Sequence, residues 1–134
     1  MNIGDAARIS GMSAKTIRYY EDIGLVAPAD RRESGYRDYS EDDVHLLAFL
    51  HRARGLGFSV KQCRELLSLY QDRNRASADV KAFAQKHVDE ITQKIAELEA
   101  MKDTLQTLVR KCHGDDRPHC PILEDLAGQG GPRD

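Results

Sequence analysis

The sequence contains no apolar run long enough to cross a bilayer, and its first residues, MNIGDAARIS, lack the basic start and apolar stretch of a secretory leader. Both absences point to a cytoplasmic protein with no membrane partner. There are only three cysteines in 134 residues. In a reducing compartment a resting disulfide between Cys112 and Cys120 is not expected, and the odd count leaves Cys63 over. An excess of positive charge is missing as well. The formal net charge is −2, residues 1–75 carry 12 Lys+Arg against 11 Asp+Glu, and residues 76–134 carry 8 against 11. With no basic arm, any grip on nucleic acid has to come from where individual arginines stand. No acid/base pair, nucleophile constellation or phosphate-cradling glycine loop is present, so an enzyme is not expected.

What is there is mostly helical pattern. The fractions, 40% hydrophobic and 31% charged, are those of a globular domain with a large polar surface. In IGDAARIS, Ile3, Ala6, Ala7 and Ile9 fall near helical spacing, and Gly11 interrupts. Ser13 is placed to cap a second helix, AKTIRYYEDIG, that stops at Gly24. Ile17 and Tyr20 face inward in this reading, leaving Lys15, Arg18 and Tyr19 on other faces. Two short helices joined across a glycine outline a helix-turn-helix, although helical hairpins that never meet DNA are commoner.

The next stretch, LVAPADRRESGYRDYS, favours DNA. Pro28, Gly35 and the alternation of Tyr36, Arg37 and Tyr39 suggest a small β-ribbon, or wing, that concentrates Arg31, Arg32 and Arg37. Guanidinium and phenol groups at a loop tip suit phosphate oxygens. Ser40 and Asp43 form a capping box for a third helix over about 41–54, with Val44, Leu47, Ala48 and Leu50 or His51 inward. GLGF breaks it, and Ser59 caps a fourth helix through Tyr70, in which Cys63 is a buried, inert thiol.

After the polar connector 71–76, residues 77–111 read as one helix without Gly or Pro, roughly 50 Å long and too long to bury itself on so small a front domain. Ala84, Ile91, Leu98, Leu105 and Cys112 repeat every seven residues. Val88, Ile95 and Val109 flank one side of that row, and Met101 and Leu108 the other. This is a coiled-coil seam that needs a second helix, and a two-fold homodimer is the commonest way to supply it. His87 beside the seam reads as a packed or rim histidine. The helix ends in KCHGDDRPHC, where Cys112 and Cys120 bracket His113, Gly114, Pro118 and His119. Such a loop admits a metal clip, a disulfide or a thiol redox switch.

IRYYEDIGLV followed by RRESGYRDYS resembles the signature of the MerR family of bacterial transcription regulators, and the likeness runs over almost the whole chain. The Cys112-x7-Cys120 loop followed by CPI resembles the family's copper-efflux (CueR/HmrR) subgroup. The resemblance implies a mainly α fold with four parts: a winged helix-turn-helix domain (1–70), a connector (71–76), an antiparallel dimerisation helix (77–111), and a metal-binding loop and tail (112–134). It implies a homodimer on double-stranded promoter DNA whose two promoter elements are spaced too far apart for RNA polymerase. The effector-loaded form bends and untwists that DNA. Carried onto this sequence, Lys15, Thr16, Arg18 and Tyr19 would enter the major groove, and Tyr20, Arg31, Tyr36, Arg37 and Arg54 would take backbone contacts. Arg32 is added from the composition of the wing.

Two soft thiolates suit a monovalent d10 ion, so Cu(I) is expected, with Ag(I) or Au(I) as alternatives. Zn(II) would want about four ligands, which the loop could assemble from Cys112, Cys120, His113 and His119. Copper-type relatives usually carry a non-ligand at position 113, so His113 departs from their pattern. Antiparallel pairing brings Ser77 of the partner subunit toward the thiols. Family members that sense divalent ions generally have a cysteine at this position; Ser77 supplies no thiolate and is expected to cap the helix. Two thiolates around Cu(I) keep a net charge of −1, which a helix N-terminus favours. A Zn(II)-responsive or thiol-redox-responsive regulator is the alternative. An organic-ligand regulator would need more than the roughly twenty residues that follow the long helix.

Overall fold

The computed structural model describes residues 1–31 and 35–128, so Arg32 lies outside the described residues. The chain divides into two compact units, Met1–Lys81 and Ala82–Asp134. No helix among the described residues is long and apolar enough to cross a membrane.

In the first unit, α1 (Ile3–Ser10) and α2 (Ala14–Asp22) form the helix-turn-helix. Each start is fixed locally: Asn2 accepts from the Asp5 N–H and Ser13 from the Thr16 N–H, satisfying donors the first turn leaves open. The turn between them requires Gly11. Its φ is +81°, and a Cβ there would come within 3.2 Å of the His51 ring. α1 thereby packs closely on α3 (Glu41–Gly55), while α3 also packs on α4 (Val60–Gln71). Capping boxes start both later helices, Ser40 with Asp43 and Ser59 with Gln62.

The core is made by Ala6, Ile17, Tyr20, Val44, Leu47, Leu50, Cys63 and Leu67. Ile9 is 54% exposed despite its helical spacing, and of the pair Leu50 or His51 it is Leu50 that is fully buried. Between α2 and α3 the wing forms as β1 (Asp30–Arg31) paired antiparallel with β2 (Arg37–Asp38), in register Asp30 with Asp38 and Arg31 with Arg37. Period-two alternation then places Tyr39 in the core and leaves Tyr36 in solvent.

The helix α5 spans Ser77–Lys111 without interruption. Ser77 is its first helical residue and not the capping one: the Ala76 carbonyl already accepts the Asp79 N–H at 3.1 Å, so the helix starts one residue earlier than a Ser77 cap requires. Val88, Ile91, Ile95, Leu98, Met101, Leu105 and Val109 are each 42–60% exposed, an apolar stripe without cover in a single chain. The short α6 (Pro121–Leu126) follows the terminal loop and opens with proline at its first position.

Candidate DNA interface and thiol loop

The surface of α2 and the wing carries most of the residues expected at DNA. Lys15, Arg18 and Tyr19 are exposed along α2, and Thr16 is half-buried with its hydroxyl accepting from Ser13 at 2.8 Å. Arg18, Arg31, Tyr36 and Arg37 line one open hollow of about 550 Å³ together with Asn2 and Ile3. Tyr36 stands free at the rim, and Arg31 donates to the Gly35 carbonyl at 3.0 Å, closing the ribbon on itself. Tyr20 belongs to the core, its ring 6.0 Å from that of Tyr19. Arg54, at the end of α3, donates to the Phe58 carbonyl at 2.6 Å.

A buried carboxylate ties the wing to α2, and sequence reasoning missed it. The Glu21 side chain is 1% exposed. One oxygen accepts the Ala29 N–H at 3.1 Å; the other accepts the Tyr39 hydroxyl at 3.2 Å and the Arg37 guanidinium. Burial, opposed by Arg37, pushes the Tyr39 phenol above its usual value. Arg37 is raised too, first by its hydrogen bond with Tyr39 and then by the charge of Glu21. The available signal was positional: Glu21 follows Ile17 and Tyr20 on the inward stripe, and sits in the last turn, where a helix dipole disfavours an anion. The N-terminal ammonium adds a second tie, donating to Asp38 at 2.7 Å and to the Tyr39 carbonyl at 2.9 Å.

At the other end of the chain, Cys112 and Cys120 are free and half-buried, and each is fixed by a helix end. The Cys112 N–H closes the last turn of α5 on Leu108 and Val109, both at 3.2 Å. Cys120 occupies the residue before α6, its carbonyl accepting from Glu124 at 3.1 Å. Asp115 clasps the loop between them: it accepts the Arg117 N–H at 3.0 Å and the guanidinium at 2.8 and 2.7 Å, which holds its carboxyl below the usual range. His119 points Nδ1 at the Glu124 carboxylate, 3.2 Å away. His87 is 11% exposed in its side chain, with Nδ1 3.7 Å from Glu90 on the same helix. Among the described residues no three His, Cys, Asp or Glu side chains gather as a metal-holding group. The candidate donors that the loop offers are its two thiols, and thiolates suit soft ions. Cys63 is fully buried, and desolvation raises its pKa, so it stands apart as an inert thiol.

A helix-turn-helix with an arginine- and tyrosine-bearing wing defines a DNA-binding transcription regulator, not an enzyme. The chain belongs to the MerR family: residues 1–69 match the family model "MerR HTH family regulatory protein" and residues 44–108 match "MerR, DNA binding". It is 60% identical to the HTH-type transcriptional regulator HmrR of Rhizobium leguminosarum bv. viciae, over 95% of this chain and 98% of that one. It is 44% identical to the HTH-type transcriptional regulator CueR of Salmonella typhimurium, over 96% and 93%. The crystal structure of the transcription regulator PbrR691 from Ralstonia metallidurans CH34 in complex with lead(II) superposes with a TM-score of 0.82 at 29% identity, covering 94% of this chain and 98% of that one.

Proposed function

We propose that the protein is a metal-responsive activator that works as a homodimer in the cytoplasm, holds Cu(I) between Cys112 and Cys120, and switches on copper-resistance or efflux genes. The observation that carries the choice of ion is the donor set: two free thiols anchored on helix ends, with His119 turned toward Glu124. Bound there, the ion supplies two soft metal–sulfur bonds that close the loop. Ag(I) and Au(I) share that chemistry.

The other steps belong to the chain. The α5 stripe pairs with its copy in antiparallel fashion, which sets the partner's Ser77 near the thiols. A hydroxyl there adds no thiolate, and the positive end of that helix favours a site of net charge −1. Lys15, Thr16, Arg18 and Tyr19 read the major groove, Arg31, Tyr36 and Arg54 take phosphates, and Tyr20 and Arg37 hold the reading surface from beneath. Arg32 adds to the wing's charge. Closing the loop stabilises α6 against α5 and biases the two heads toward the form that distorts the promoter, presenting both promoter elements to RNA polymerase.

The test is in vitro transcription from the cognate promoter with Cu(I), Ag(I), Zn(II) and Hg(II), using wild type, Cys112→Ser and Cys120→Ser. Activation by the monovalent ions alone, abolished in both variants, is expected. Equal activation by Zn(II), or an unaltered response in both variants, contradicts the assignment. Activation by peroxide with copper chelated away assigns the loop to redox sensing instead.

A further inference from the structure

Arg64, on α4, forms a two-pronged bond to the end of the reading helix that none of the assignments above uses. Its NH1 donates to the Gly24 carbonyl and its NH2 to the Ile23 carbonyl, both at 3.1 Å and across 40 and 41 residues of sequence. The helix so gripped is in need of it. α2 has nine residues, too short to be stable alone. Its last turn carries Glu21 and Asp22 and no basic residue, the wrong sign for the negative end of the dipole. Glu21 is neutralised by Arg37, and backbone N–H groups of the turn take the Tyr19, Tyr20 and Glu21 carbonyls, so Arg64 reaches the next ones, those of Ile23 and Gly24. They sit where the chain turns out of α2 through Gly24, at φ +73°. Arg64 supplies the missing cation from a helix whose own position is fixed by the fully buried Cys63 next to it and by Leu67.

We propose that Arg64 is a positioning residue for DNA recognition: it seats the C-terminal end of α2 against α4, and so sharpens base discrimination without itself touching phosphate. An exposed arginine on a DNA-binding head would ordinarily be assigned to the backbone. The two roles differ in what salt does. Losing a phosphate contact lowers affinity for every duplex and flattens the log–log salt dependence by about one unit. Losing a positioning bond loosens the geometry that base contacts demand, and leaves the phosphate count unchanged.

The experiment measures binding by fluorescence anisotropy across a salt series. It uses a duplex selected from a random library by the wild-type protein and a scrambled duplex of the same length, with wild type, Arg64→Ala and Arg64→Lys. Arg64→Ala is expected to bind the selected duplex roughly three- to tenfold more weakly, the worth of one or two exposed charge-assisted hydrogen bonds. Its affinity for the scrambled duplex and its salt slope stay at the wild-type values. Arg64→Lys, which keeps the charge and loses the fork, falls between the two. Equal losses on both duplexes, a flatter slope, or no loss at all overturns the inference. If Arg64→Ala gives no cooperative melt by circular dichroism, Arg64→Lys is judged by the same criteria. The inference presupposes that α2 reads DNA. A wild-type protein that cannot tell the two duplexes apart sinks that reading and this one together, whereas the Arg64 outcomes bear on this one alone.

Discussion

Replacing Glu21 by glutamine should unseat the wing, and the structure sets the size of the effect. The carboxylate is 1% exposed and serves three donors: the Ala29 N–H, the Tyr39 hydroxyl and the Arg37 guanidinium, whose side chain is 27% exposed. An amide has one acceptor oxygen, so its NH2 must oppose either the Ala29 N–H or Arg37, donor against donor. A charge-assisted bond is lost and Arg37 is left half-covered without its counter-ion, which together cost about 2–4 kcal/mol. With a urea dependence near 2 kcal/mol per molar for a small protein, the unfolding midpoint of Glu21→Gln should drop by roughly 1–2 M. Arg37→Ala should be at least as damaging, because it strands a fully buried anion on two neutral donors. The double variant Glu21→Gln with Arg37→Ala should be less destabilised than the two single losses added together, with a coupling of about 1–3 kcal/mol. Urea unfolding followed by circular dichroism measures all three. A Glu21→Gln midpoint within error of wild type, or strictly additive losses, would refute the claim that this carboxylate anchors the wing.

The α5 stripe gives a second expectation. Leu98 is 55% exposed in one chain, and burying the remainder in a dimer is worth about 1.5 kcal/mol per copy. Leu98→Asp should therefore weaken dimerisation by at least ~100-fold in sedimentation equilibrium; an unchanged dimer would show that the stripe is not the interface. For the thiols, iodoacetamide at neutral pH should add two adducts to the metal-free native protein, at Cys112 and Cys120, while Cys63 resists until the fold is opened. Three adducts by mass spectrometry under native conditions would contradict its burial. The pKa values of Cys63 and Tyr39 are both raised in the fold, so their contribution to stability is complete below the reference values of 9.0 and 10.0 and is lost as pH rises beyond them. Unfolding free energy should thus fall on the alkaline side, and less steeply in Cys63→Ala.

Features set by a few neighbouring residues were legible in the sequence. The caps at Ser13, Ser40 and Ser59 each bond to an N–H three residues on, so the pattern alone places those helix starts. The heptad row was equally local, and α5 runs over Ser77–Lys111 as the absence of Gly and Pro indicates. Cys112 and Cys120 lie within one short segment, and the structure sets them just after α5 and just before α6. What pattern could not give was pairing at a distance. The bond of Glu21 to Arg37 spans 16 residues and that of Arg64 to α2 spans 40, and both depend on how finished helices pack. Burial was likewise decided by packing: helical spacing alone does not say that Ile9 is left 54% exposed. Ser77 shows the limit of cap rules, because a backbone bond from Asp79 to Ala76 begins the helix before the serine can cap it.

The account rests on two sulfurs, and no imidazole, gripping a monovalent ion. X-ray absorption at the copper edge of the Cu(I)-loaded dimer tests this most directly. Two sulfur neighbours per copper and no nitrogen shell are predicted, with the signal lost in Cys112→Ser and Cys120→Ser. A three- or four-coordinate ion with nitrogen from His113 or His119 would contradict it.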